Sequence, residues 1–176
     1  DYPYTGDHTV DLYAVCDQGE VLFVDCGPQG MTDRSWFSQV IEELAGSADN
    51  AKLFLTHCHL DHVGEVPWFE RQGVQSYVNK KVFEFSMPYP ETCARIFGDV
   101  CYNLPFGIEE FCLSQAELCK IMENTARMQD GDTITCGDRS FEVLSLPGHS
   151  AGHSGLLSKD KTLLFSGDCL FHLPPI

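Results

Sequence analysis

No stretch of this 176-residue chain approaches the ~20 consecutive apolar residues that a membrane span needs. Basic residues are scarce: 11 Lys and Arg stand against 26 Asp and Glu, for a formal charge of -15. No run of Lys and Arg gathers that minority into a patch. Such a surface repels phosphate backbones and anionic lipid, so nucleic acid and membrane are not expected partners. None of the nine cysteines forms a CxxC pair, and several lie inside apolar runs such as Val21 to Cys26. Reduced, buried thiols in a cytoplasmic protein fit that pattern better than a secreted disulfide framework. No signal peptide, repeat or low-complexity segment is visible.

What remains is an ordinary globular composition, 43% hydrophobic, long enough for one domain with a sizeable core. Thr9 to Cys16 and Glu20 to Cys26 read as strands joined by a turn at Asp17-Gln18-Gly19. Thr32 or Asp33 is placed to cap a helix whose apolar residues Trp36, Phe37, Val40, Ile41 and Leu44 recur at helical spacing until Gly46. A strand at Lys52 to Thr56, a short helix at Glu65 to Gln72 and a strand at Gln75 to Val78 follow. Residues 80–129 hold few strand signals and a helix candidate at Ser114 to Met128, and read as a helical insertion. Strands return at Thr133 to Cys136, Phe141 to Ser145, Gly155 to Ser158 and Thr162 to Ser166. Two sheet-forming halves separated by helices predict a mixed α/β domain with a sheet-on-sheet core covered by helices.

The densest chemistry is in LFLTHCHLDHVGE, Leu53 to Glu65, where His57, His59, Asp61 and His62 fall within six residues of a chain with seven histidines. Imidazole and carboxylate donors without obligatory thiolate are the ligand chemistry of a catalytic zinc, iron or manganese site. In an extended segment, residues 57, 59 and 61 project the same way and His62 is turned aside, so one loop can serve two ions. A closed structural site is often Cys-rich, and Cys58 alternates away from His57 and His59.

These residues resemble the motif of the metallo-β-lactamase superfamily, with Glu65 where a second Gly is common. "LPGHSAGHSG" (Leu146 to Gly155), "LLFSGDCLF" (Leu163 to Phe171) and "VLFVDCG" (Val21 to Gly27) are similar to its other motifs, in the same order. The resemblance implies the αββα sandwich of that family. It makes His57, His59 and His149 ligands of a first metal, Asp61 and His62 ligands of a second, and Asp168 a bridge between them. Two such ions would acidify a water for attack on a carbonyl, with Asp61 orienting it and accepting its proton. The implied activity is that of the hydroxyacylglutathione hydrolase-like branch: hydrolysis of a small-molecule thioester, ester or lactone with one or two zinc ions, or with iron or manganese. Two alternatives stay open: a mononuclear iron persulfide dioxygenase using His57, His149 and Asp168, and a non-catalytic metal-binding domain. Asp25 is read either as support for a ligand histidine or as a simple strand-ending turn, His153 as structural, and Cys58 and Cys169 as small buried thiols.

The chain departs from the family after Asp168. It ends at Ile176, and His172 is the only later histidine. His172 lies close to Asp168 along the chain and is read as a rim residue. The expectation is therefore a piece of a longer protein, lacking the last part of the second sheet and the last helix, with a well-formed first metal site and a deficient second one.

Overall fold

A computed structural model describes residues 10–85, 120–150 and 152–170, with Glu84 and Phe85 described in backbone only. His172, the side chain of Phe85 and most of the 80–129 insertion, with Tyr89, Phe97, Tyr102, Phe106 and Phe111, lie outside what is described.

The first sheet has the order β1-β2-β3-β4-β5. β1 (Tyr13–Asp17) and β2 (Glu20–Val24) form an antiparallel hairpin. Its two-residue loop, Gln18-Gly19, takes positive φ at both positions, 49° and 77°, which matches the twist of the flanking strands. β3 (Ala51–Leu55), β4 (Gln75–Asn79) and β5 (Ala126–Met128) add to β2 in parallel. The second sheet is antiparallel throughout: β6 (Thr133–Cys136), β7 (Arg139–Ser145), β8 (Ser154–Ser158) and β9 (Leu164–Phe165).

The apolar runs of β2 and β3 follow from their burial on two faces. Val21, Phe23, Leu53 and Leu55 pack toward the helices, whereas Leu22, Val24 and Phe54 pack with Ile134, Phe141, Val143 and Leu156 of the second sheet. Helix α1 (Arg34–Val40) is capped by the Asp33 side chain on the Ser35 N–H and runs on as a π-helical turn, Ile41–Ala45, that stops at left-handed Gly46. α2 (Leu60–Val63) is a single turn, α3 (Val66–Gln72) starts with Pro67 in its first turn, and α4 (Lys81–Phe85) follows β4. The described residues thus form helix, sheet and sheet layers. β9 is an edge of the second sheet, with Leu163 and Leu164 exposed beside it and Phe165 packed on Tyr13 of β1 at 5.3 Å between ring centroids.

One predicted element is overturned. The described part of the helix expected over Ser114 to Met128 is helical only at Lys120 and Ile121, and Ala126–Met128 is a strand. Ala, Arg and Met favour helix by propensity. Pairing with β4 satisfies the strand's open edge and buries Met128, and that tertiary gain wins.

The helix-side core is centred on Phe23, fully buried, with the rings of Phe37, Phe69 and Trp36 at 5.4, 5.3 and 6.0 Å. Phe23→Ala is expected to lower unfolding free energy by about 3–5 kcal/mol, read from the urea midpoint.

Candidate metal centre

Asp25 leaves β2 with a left-handed φ of 61°, and this turn aims its carboxylate at the end of β3. Oδ1 accepts the Thr56 N–H at 2.8 Å, and Oδ2 accepts the Thr56 hydroxyl at 2.8 Å. Oδ2 also lies 2.8 Å from His62 Nδ1. These bonds fix protons. Thr56 gives its hydroxyl hydrogen to Asp25, so at the 3.0 Å contact with His57 Nδ1 it accepts, and the His57 proton sits on Nδ1. His62 likewise donates from Nδ1. Asp25 therefore leaves the Nε2 of His57 and, when neutral, of His62 with outward lone pairs.

The freed atoms converge. His59 Nδ1 lies 3.0 Å from His57 Nε2 and 2.9 Å from His149 Nε2. A tetrahedral ion with bonds of ~2.0–2.1 Å holds its ligands roughly 3.3 Å apart, so this triad fits one with shifts of a few tenths of an ångström. The Asp168 carboxylate faces both ways, with Oδ2 3.4 Å from His149 Nε2 and 3.9 Å from His57 Nε2, and Oδ1 3.4 Å from His62 Nε2. Among the described residues His62 Nε2 is buried without a hydrogen-bond partner, as suits a nitrogen that would ligate an ion. Among the described residues two overlapping groups can hold an ion, His57 with His59 and His149 or His57 with His62 and Asp168, and the single Nε2 lone pair of His57 serves one ion at a time.

The sequence expected residues 57, 59 and 61 to project alike from one extended segment. Instead the chain turns helical at Leu60. His59, extended at φ -72° and ψ 147°, stands at the helix start, and its carbonyl accepts the N–H groups of His62 and Val63. Asp61 and His62 thus come from a helical turn. The Asp61 carboxylate lies 3.8 Å from His62 Nε2, beside the second group but outside both.

Behind the ligand atoms, His153 is fully buried and stacked on His57 at 4.7 Å. Its Nε2 accepts the Asp168 N–H at 3.1 Å, so its proton sits on Nδ1, facing Cys169 Sγ at 3.2 Å. Cys169 in turn donates to the Leu146 carbonyl at 2.8 Å. This chain of bonds ties Asp168 to the loop that carries His149. Gly167, at φ 50°, has no room for more: a Cβ there would stand 2.8 Å from both His153 Nε2 and Thr56 Oγ1. Thr56, Gly167 and Leu146 sit inside the sequence motifs, yet nothing local announces their roles.

Burial, followed by the neighbouring imidazoles, holds His57 well below the usual histidine range. Burial and His149 lower His59 to about 4, and the same two causes lower His153 to about 4. At His62 burial opposes the charged form, but the carboxylates of Asp25, Asp168 and Asp61 outweigh it and push the pKa up to about 10. His62 in turn holds Asp168 below the ordinary carboxylate range.

Residues 5–176 match the sequence model described as the metallo-beta-lactamase superfamily. The human acyl-coenzyme A thioesterase MBLAC2 is 27% identical over 173 residues, covering 88% of this chain and 55% of that protein. The hydroxyacylglutathione hydrolase GloC of Haemophilus influenzae is 31% identical over 156 residues, covering 88% and 63%. The hydroxyacylglutathione hydrolase of Bdellovibrio bacteriovorus is 44% identical over 129 residues, covering 73% and 38%. Among solved structures, a metallo-beta-lactamase family protein from Thermus thermophilus superposes with a TM-score of 0.67 at 24% identity, over 93% of this chain and 55% of that one. The chain spans about half the length of the curated relatives it matches.

Asp25→Ala is expected to strand the Thr56 N–H, the Thr56 hydroxyl and His62 Nδ1 together, lowering stability by about 3 kcal/mol and metal affinity roughly 10- to 100-fold. Urea unfolding and metal titration check the two losses separately. For the metal-free protein, His59 and His153 at about 4 against 6.5 unfolded make stability rise with pH between about 4 and 6.5, where the unfolded chain binds more protons. His62, raised to about 10, contributes stability fully present below about 6.5 and lost as pH climbs through 10. Unfolding free energy measured across pH should therefore pass through a maximum near neutrality, and a flat profile would contradict this.

Proposed function

As the chain belongs to the metallo-beta-lactamase superfamily, we propose that it is a metal-dependent hydrolase cleaving a thioester, ester or lactone of a small-molecule substrate. The observation that carries this reading is the Asp168 carboxylate spanning two donor groups, one oxygen 3.4 Å from His149 Nε2 and the other 3.4 Å from His62 Nε2. His57, His59 and His149 would hold a first ion, His62 and Asp61 a second, and Asp168 both. The imidazole and carboxylate set fits zinc, and iron or manganese according to supply. Bound there, a divalent ion supplies Lewis acidity and brings the pKa of water near neutral.

The protein's own groups divide the remaining work. Asp25 and Thr56 keep the lone pairs of His57 and His62 aimed into the site. His153 fixes the backbone of Asp168. Asp61, with its side chain about one-third exposed (32%) beside His62, would take a proton from the attacking water and pass it to solvent. The names of the relatives, an acyl-coenzyme A thioesterase and hydroxyacylglutathione hydrolases, favour a thioester among the three substrate classes. Among the described residues no helix is long and apolar enough to cross a membrane. The buried thiols of Cys26 and Cys136 donate hydrogen bonds to carbonyl groups and suit a reducing, cytoplasmic setting.

Protein purified from its own host is expected to hold metal and to hydrolyse members of a thioester, ester and lactone panel. His57→Ala removes a nitrogen of the first donor group and is expected to lose the first ion and hydrolysis together. One iron per chain with oxygen uptake on a persulfide would replace this reading by the dioxygenase. Metal-loaded protein inert on every substrate would replace it by a non-catalytic metal-binding domain.

A further inference from the structure

Helix α2, the turn that carries Asp61 and His62, has four residues. A helix this short has no stability of its own, so its contacts must set where its side chains stand. Asp25 grips it from the side of the donor atoms. From the other side it meets the loop between β2 and α1, residues 26–33, at three successive points. The Cys26 N–H and thiol both donate to the His62 carbonyl, at 2.9 and 3.1 Å. At Gly64 the two backbones are so close that a Cβ would stand 2.3 Å from Gln29 N and 2.8 Å from the Pro28 carbonyl carbon.

The third point is Glu65, 1% exposed, directly after Gly64. Its Oε1 accepts the Gly30 N–H at 2.6 Å and Arg34 Nη2 at 3.2 Å, and its Oε2 accepts Arg34 Nε at 2.9 Å. Arg34 is the first residue of α1, so this fork fastens the loop and the start of α1 to the residue that follows the metal-facing turn. A carboxylate so buried is costly unless fully paired, and here the pairing engages both oxygens. We propose that Glu65 and Arg34 are a positioning pair for the half of the site made by Asp61 and His62. They act through the loop on α2 and touch no donor atom. Among the described residues the side-chain hydrogen-bond partners of Glu65 and Arg34 are Gly30 and each other, whereas His57 and His59 follow β3 and His149 lies on the β7–β8 loop. Loosening the pair therefore displaces one half-site against the other, and a ligand displaced by a fraction of an ångström loses affinity.

This inference rests on the two-group metal reading and is tested by metal binding, independently of any substrate. Full-length, metal-stripped protein is titrated with cobalt(II), following the ligand-field absorption, in wild type, Glu65→Gln, Arg34→Met, Arg34→Lys and the Glu65→Gln/Arg34→Met double variant. Expected are two binding steps in wild type and a second step weakened roughly 10- to 100-fold in Glu65→Gln and Arg34→Met. The first step should stay within about twofold, the double variant should be little worse than either single one, and Arg34→Lys should recover part of the loss. Arg34 is 41% exposed at its side chain, so its variants keep the test open even where a Glu65 change unfolds the protein. Equal weakening of both steps, or no change in the second, would overturn the proposal. A single step in wild type would overturn it together with the second half-site, while the His57→Ala hydrolysis comparison would still judge the hydrolase reading separately.

Discussion

One buried carboxylate organises the centre. Asp25 reaches the end of the neighbouring strand through Thr56 and the metal-facing turn through His62, and it sets the proton positions of two imidazoles at once. Its charge is tolerated in the interior because every bond it accepts comes from a group that would otherwise be unpaired there. The left-handed turn at the end of β2 is what allows this. Had β2 run on, the carboxylate would have followed the alternation of the strand and lost its aim at Thr56.

The sandwich supplies the rest of the site by convergence. Parallel β2 and β3 bring Asp25 and Thr56 side by side, with register Val24 to Phe54. The second sheet joins them where the Ser154 N–H donates to the Thr56 carbonyl at 2.8 Å, which seats the β7–β8 loop and His149 over the first sheet. Nitrogens 90 residues apart along the chain, those of His59 and His149, thereby meet at 2.9 Å.

Much of this was legible in the sequence, and the failures have physical causes. β2 and β3 were readable because strands buried on two faces must be apolar at nearly every position, as Val21 to Val24 and Leu53 to Leu55 are. The histidine cluster was readable because histidine is scarce here and bunched. β5 was not, since Ala126, Arg127 and Met128 carry helix propensity and become a strand only because β4 offers an edge. The turn at Leu60 was missed for want of any local signal beyond a tolerant backbone at His59. Asp25 stood undecided because its partners lie 31 and 37 residues away. Glu65 was noted as a departure from the family motif, and only the folded chain brings Arg34 to it.

The exposed leucines at β9 have a colloidal consequence. Among the described residues β9 is the last strand of its sheet, with Leu163 and Leu164 exposed, and the ring of Tyr13 lies against Phe165 from the edge of the first sheet. A formal charge of -15 repels like-charged surfaces, copies of this chain included, at long range. Salt shortens the reach of that repulsion and protonation of the carboxylates weakens it, so close encounters at exposed apolar margins such as Leu163 and Leu164 grow more frequent as ionic strength rises.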